Sequence, residues 1–375
     1  MVNQKLNEQL VESVIKNKLK KVKYILRLGG DVKYRYEGWP VLFYAKSDEM
    51  FDLLTEFGAK VEKSDINKKD SMGHMILEKV ESPKLADKLI EMGENVNAIT
   101  GSGWNVALYA RNNEVAEVIL NNGGRIFDDS IRSSKSCDEA GETALMQVNC
   151  LKIFNLVCEK GANPNATDIY GNSVLHYFVK KHNVEIVREL VGKVKNIDVR
   201  GQYDETPLMW AVSLEDKEMV YLLLGAGADK NAKCKNGDAV IHKAHDYEIL
   251  KILVDEGCDI EARDKLSNTP LHKVIDRGDI KSFKYLIEKG SDIHASNESK
   301  FNCLIKAVFA ENEEMIRILI DKGVDIKARN IYGYDAMRIA GKELREVILD
   351  AYKRREIKQG KNLSFKKNYK YYERN

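Results

Sequence analysis

Histidine, cysteine and glycine are the residues of this chain whose types could support metal, redox or phosphate chemistry. His176, His242 and His272 recur in related settings, Ser173-Val-Leu-His, Ala239-Val-Ile-His and Thr269-Pro-Leu-His. Zinc requires three or four ligands converging on one point, and these histidines stand on separate rungs of a repeating pattern, so no metal site is expected. His74, His182, His245 and His294 are isolated. Cys137, Cys150 and Cys158 are close in sequence but read as a loop, a hinge and a helix position. With Cys234, Cys258 and Cys303 they lack C-x-x-C spacing and are read as reduced thiols. The pairs Gly101-Ser-Gly103, Gly123-Gly124 and Gly225-Ala-Gly227 do not follow a strand and open a helix with the lysine and hydroxyl that a phosphate loop needs. Gly225 and Gly227 close a helix, whereas phosphate is held at helix N-termini. No Ser/His/Asp set assembles without arbitrary choices. The expectation is a non-enzyme with no cofactor and no metal.

Charge and hydropathy narrow the class further. The 375 residues are 43% apolar and 31% charged, with five prolines and a net charge of +2, as in a soluble folded protein. No run approaches the ~18 apolar residues of a membrane span. The first residues carry Lys5, Glu8, Glu12, Lys16, Lys18 and Lys20 and are not read as a secretory signal. Reduced thiols then point to the cytoplasm. Residues 352–375 hold nine Lys and Arg against two Glu, a net of +7, which leaves −5 for the rest. Phe365, Tyr369, Tyr371 and Tyr372 are interleaved with those cations, a composition able to hold single-stranded nucleic acid. The plainer expectation is a largely flexible terminus with no nucleic acid bound.

The elements that position these residues are seen best in residues 204–236. Thr206 is a helix N-cap, Pro207 suits the first helical position, and Leu208, Ala211 and Val212 form one apolar face. A polar break leads to Val220, Leu223 and Leu224, and Gly227 closes the second helix. Helices this short bury their faces only against further copies. Such copies open with a glycine or its stand-in at 38, 73, 103, 141, 171, 204, 237, 267, 300 and 333, most often 33 residues apart. Closing glycines fall at 29, 58, 93, 123, 161, 227, 257, 290 and 323, with Val194 as the exception. Repeats opening at 38, 73, 103, 141 and 237 lack three residues between their helices, about one turn. Seven of ten cap positions suit a cap: Asn105, Thr143, Ser173, Thr206, Thr269, Asn302 and Asp335. Longer fingers follow Gly58 and Gly123.

This periodicity, with Thr206-Pro-Leu-Met-Trp-Ala211 and Thr269-Pro-Leu-His-Lys-Val274, resembles the ankyrin-repeat family, whose repeat is about 33 residues with a T-P-L-H-x-A signature. The resemblance covers residues 6–351. It implies an all-α ankyrin-repeat solenoid of helix–turn–helix units with short β-turn or hairpin fingers. Residues 1–35 would be an N-terminal capping repeat, 36–351 an array of about ten repeats, the last a cap, and 352–375 the basic tail. It also implies that His176, His242 and His272 link neighbouring repeats through backbone hydrogen bonds. Residues flanking the opening glycine would lie on exposed finger tips beside a concave groove, which here gives Trp39, Trp104, Tyr170, Tyr203, Phe301, Tyr332 and Tyr334. Large aromatics on polar loops suit binding hot spots, although some would pack on neighbouring fingers instead. Trp210 is read as core or groove wall. The function expected is that of a monomeric, non-catalytic scaffold or regulator holding a protein partner. A secreted bacterial effector using the same binding mode, or a nucleic-acid-associated protein using the tail, are the alternatives.

Overall fold

The computed structural model describes residues 2–69, 73–98, 106–110, 112–125 and 141–359. Within them the chain is a succession of short helix pairs. Full-length repeats have first helices of seven or eight residues: Val174–Lys180, Pro207–Ser213, Pro270–Arg277 and Cys303–Phe309. The repeats expected to be shortened have first helices of only three or four: Val41–Tyr44, Ile76–Glu78, Val106–Tyr109, Ala144–Gln147 and Val240–Lys243. Three of these, in the repeats opening at 38, 73 and 237, are single 3₁₀ turns. Ala336–Ile339 is also four residues long, a shortening that the sequence reading did not anticipate. The second helices run eight to ten residues, from Asp48–Glu56 to Glu313–Lys322. The last, Lys342–Lys358, has 17, so residues 352–358 of the segment expected to be a largely flexible tail are helical.

Punctuation follows the glycines. All nine closing glycines have positive φ, from 79° at Gly257 to 102° at Gly93, the conformation that ends a helix without a Cβ clash. Gly227 donates to the Leu224 carbonyl and Ala228 to that of Leu223, each at 3.0 Å, so the last carbonyls are satisfied. The helix Val184–Val191 ends differently: Lys193 and Val194 both donate to the Leu190 carbonyl, and no left-handed residue is used. Of the opening positions, Gly38, Gly73, Gly141, Gly171, Gly237 and Gly333 have positive φ, and so do the stand-ins Asp204, Ser267 and Lys300 at 62°, 60° and 56°. Position 103 lies outside the described residues.

Capping is more regular at the second helices than at the first. Ser47, Ser82, Asn112, Asp216, Asp246, Asp279 and Asn312 each accept from a first-turn N–H. Cys150 occupies the same place, its sulfur 3.5 Å from the Ile153 nitrogen. At the first helices Thr206, Thr269, Asn302 and Asp335 cap as expected. Thr143 does not: its buried hydroxyl has no partner. Asn105 lies outside the described residues.

The chain divides into two compact units. The N-terminal unit comprises residues 1–178 and 185–195, and its core includes Leu10, Leu42, Leu54, Leu89 and the edge-to-face pair Phe154–Phe178, with ring centroids 5.8 Å apart. The C-terminal unit comprises 179–184 and 196–375, with Leu208, Met219, Leu223, Leu253, Phe283 and Leu319 buried. Among the described residues no helix is long and apolar enough to cross a membrane.

Candidate finger-tip site

Among the described residues, the fingers are short segments reversed by a left-handed residue. In the first, Glu37 and Gly38 (φ 50° and 84°) form the two-residue turn of a hairpin pairing Tyr36 with Trp39, the geometry that matches the twist of the strands. Later fingers keep single bridges, such as Thr167 with Ser173 and Lys233 with Ala239. In the 233–239 finger, where Cys234 stands at the start of the turn, backbone bonds close the loop, whereas in others a side-chain oxygen fixes it. Asp168 Oδ1 accepts from the backbone of Tyr170 and Asn172, both at 2.8 Å. Asp264 Oδ1 does the same for Leu266 and Asn268, and Asn330 Oδ1 for Tyr332 and Tyr334. These Asx-type turns hold both flanking residues in defined positions.

The two flanks face different ways. Residues preceding the turn point to solvent: Tyr170, Tyr203, Leu266 and Tyr332 are 54–69% exposed. Residues following it turn toward the protein, and Trp39, Asn172 and Asn268 are only 5–6% exposed. Trp39 is therefore not the exposed tip that the sequence suggested. The tight hairpin directs its indole onto Phe43, with ring centroids 5.6 Å apart. Phe301, also a following residue, is half-buried and stacks at 5.4 Å on Phe309, which is itself exposed. Tyr334 stays exposed, with the Arg338 guanidinium 4.8 Å from its ring centre. Trp104 lies outside the described residues. Leu266, Ile331 and Phe309 are exposed as well, and none of them is an aromatic beside the turn, the pattern from which the sequence reading proceeds. Leu266 occupies the same repeat position as Tyr203, and that was the available signal.

In the C-terminal unit the fingers are joined into one edge. The backbone N–H of Lys235 donates to the Tyr203 carbonyl, Lys265 to Asn236, Glu298 to Leu266, and Ile331 to Ser299, at 2.9–3.3 Å. Arginine and lysine side chains brace the same edge: Arg200 donates to the carbonyls of Asp204 and Lys233, Arg263 to those of Ser267 and Ser296, and Lys233 to that of Arg263. On the first-helix surface beside the fingers three lysines are paired with carboxylates. Lys243 meets Glu205 at 2.6 Å, Lys273 meets Asp238 and Asp264 at 3.2 and 2.8 Å, and Lys306 meets Asp276 at 2.6 Å. Burial would raise the Asp264 carboxyl, but hydrogen bonds from Lys273 and Asn268 pull it down to about 2. In the N-terminal unit Tyr177 fills the matching position. Its hydroxyl donates to Glu142 and Asp168 at 2.8 and 3.0 Å, and burial with those carboxylates holds the phenol far above its ordinary value.

His242 and His272, two of the residues that looked able to do chemistry, are committed to structure. His272 Nδ1 accepts from the Thr269 backbone at 3.1 Å, and Nε2 lies 3.2 Å from the Phe301 carbonyl of the following repeat. His242 makes the same pair of contacts with Ala239 and Asn268. An Nδ1 that accepts from backbone leaves the proton on Nε2, where it bridges repeats. Burial, aided by the nearby Lys306 charge, lowers His272 to about 4. Cys234, Cys258 and Cys303 are buried free thiols, and burial pushes Cys258 up to about 12, away from nucleophilic range. Cys137 lies outside the described residues.

Residues 147–234 and 238–330 match the family model of ankyrin repeats. This is an ankyrin-repeat chain. The solved ankyrin repeat domain of Bcl-3, a member of the IkappaB protein family, superposes with a TM-score of 0.51 at 23% identity, covering 57% of this chain and all of that domain. An ankyrin repeat protein of Acanthamoeba polyphaga mimivirus is 27% identical over 243 residues, 60% of this chain and 31% of the relative. NF-kappa-B inhibitor delta of Mus musculus is 30% identical over 118 residues, 29% of this chain and 36% of the relative. The chain thus spans about a third of the length of these curated relatives. The fold is the ankyrin solenoid, and ankyrin repeats are in general protein–protein interaction modules without catalytic activity of their own.

Proposed function

We propose that this chain is a non-catalytic binding protein that holds a protein partner against its finger tips and the adjoining first-helix surface. The observation that carries this reading is the set of large side chains turned outward on left-handed or Asx-held turns of the C-terminal unit, Tyr203, Leu266 and Tyr332, with Tyr170 exposed in the same way within the N-terminal unit. Tyrosine anchors on a preordered surface favour association because little side-chain entropy remains to be lost. One relative is named as an inhibitor of another protein, NF-kappa-B, which fits a regulatory role of this kind. A pull-down from native lysate with Tyr203→Ala/Tyr332→Ala is expected to lose the captured partner while the thermal melt stays unchanged. Trp39→Ala is expected to act on stability instead, by about 3–5 kcal/mol as for other buried aromatics. Recovery of the same partners in the same amounts by the folded double variant would show that the tips are not the binding surface.

A further inference from the structure

The finger edge of the C-terminal unit differs in charge from the surface next to it. Lys243, Lys273 and Lys306 on the first helices are neutralised by carboxylates of their own unit. On the edge, Lys235, Lys265, Lys300 and Arg329 are exposed and have no ion-pair partner among the described residues. The exposed carboxylates among them are Asp204 and Glu298, while Asp264 and Asp238 are taken by Lys273. Between these cations stand the apolar groups of Leu266, Ile331 and Tyr332. The backbone bonds from Tyr203 to Ile331 hold the whole line in register.

We infer that this edge, from Tyr203 to Tyr334, takes a partner segment that is acidic and carries bulky apolar side chains. The inference rests on the binding reading above and adds the chemistry of the partner. Unpaired cations fixed beside apolar groups are complementary to carboxylates alternating with leucine- or phenylalanine-like side chains. Nucleic acid fits less well. Of the edge guanidinium groups, whose forks suit phosphate, Arg200 and Arg263 are committed to backbone carbonyls, which leaves Arg329 alone for such a contact. Leu266 and Ile331, between the rings of Tyr203 and Tyr332, interrupt any succession of rings on which bases would stack.

The test is panning of a phage-displayed random dodecapeptide library against the full chain, followed by fluorescence anisotropy with a synthetic selected peptide. Enriched sequences should have net negative charge and at least two bulky apolar residues. Affinity should fall at least tenfold in Lys265→Glu/Lys300→Glu, fall similarly in Leu266→Ser/Tyr332→Ala, and weaken as sodium chloride rises from 50 to 300 mM. Absence of enrichment, neutral or basic winners, or equal affinity in the charge-reversed variant would overturn the inference. So would tighter, Lys265/Lys300-dependent binding of a thymidine oligonucleotide or of phosphatidylserine vesicles, which would assign the edge to those partners. Should the pull-down depend on Tyr203 and Tyr332 while the peptide selection fails in these ways, the tips bind protein and only the partner chemistry is wrong.

Discussion

A histidine buried as a neutral hydrogen-bond bridge makes stability depend on pH in a calculable direction. His272 is fully buried and lowered to about 4, whereas an unfolded-chain histidine titrates near ~6.5. Above that unfolded value both states are neutral and the contribution is complete. As the pH falls from about 6.5 toward about 4, the unfolded chain takes up a proton that the folded site refuses, so stability declines by roughly 3 kcal/mol in all. His242 is lowered by burial as well and acts in the same direction. Asp264, held at about 2, loses its contribution only below the ordinary aspartate value, so its window lies beneath that of the histidines. Glu94, Glu261 and Asp198, raised by burial, oppose the trend. The decisive measurement is therefore site-specific: ring nitrogen NMR should show His272 still neutral with its proton on Nε2 at pH 5. Titration of that ring near 6.5 would refute the bridge.

At the scale of elements, the three related first-helix starts differ by one oxygen. Ser173 and Thr269 each place a hydroxyl 2.9 Å from the ring nitrogen of the histidine three residues on, and Ala239 has none. Ala239 is buried, and its N–H already donates to His242 at 3.0 Å. Ala239→Ser should therefore complete the cap and raise stability by about 1 kcal/mol, read as a higher urea midpoint. An unchanged or lowered midpoint would mean that the 3₁₀ turn Val240–Lys243 does not present the geometry of its longer relatives. This level of structure was largely legible in the sequence. A left-handed turn is a local demand, so glycine marks Gly58 or Gly227 without knowledge of the fold, and a deletion of one turn between Ala244 and Ile249 shortens a helix wherever the repeat stands. The direction of Trp39 was not legible, because it follows from the hairpin pairing with Tyr36 and the presence of Phe43 behind it. Nor were the bonds from Lys243 to Glu205 and from Tyr177 to Glu142, which join residues 38 and 35 positions apart that only stacking brings together. The second-helix caps at Asp216, Asp246 and Asp279 were present in the sequence as regularly as the glycines and could have been read from it.

For the whole molecule, stability in a stack of repeats is close to a sum of each repeat's own contribution and that of its neighbours. The shortened first helices are therefore unequal burdens on the two units. The N-terminal unit contains four of them, Val41–Tyr44, Ile76–Glu78, Val106–Tyr109 and Ala144–Gln147. In the C-terminal unit they are Ala336–Ile339, in the last repeat, and the four-residue turn Val240–Lys243, which stands between repeats whose first helices, Pro207–Ser213 and Pro270–Arg277, are full length. A 3₁₀ turn has poorer hydrogen-bond geometry than an α-helix, and a missing turn removes apolar contacts with both neighbours. Backbone amides in the four shortened helices of the N-terminal unit should accordingly exchange with deuterium at least tenfold faster than those of Pro207–Ser213, Pro270–Arg277 and Cys303–Phe309. Val240–Lys243 separates the two causes. If helix length alone governs protection, it will exchange as fast as Val41–Tyr44. If neighbours govern, as the additive stack requires, it will be slower than the short helices of the N-terminal unit and faster than the long ones beside it. Uniform protection across all of these segments would show that the chain opens as a single cooperative whole, and the additive description would then fail.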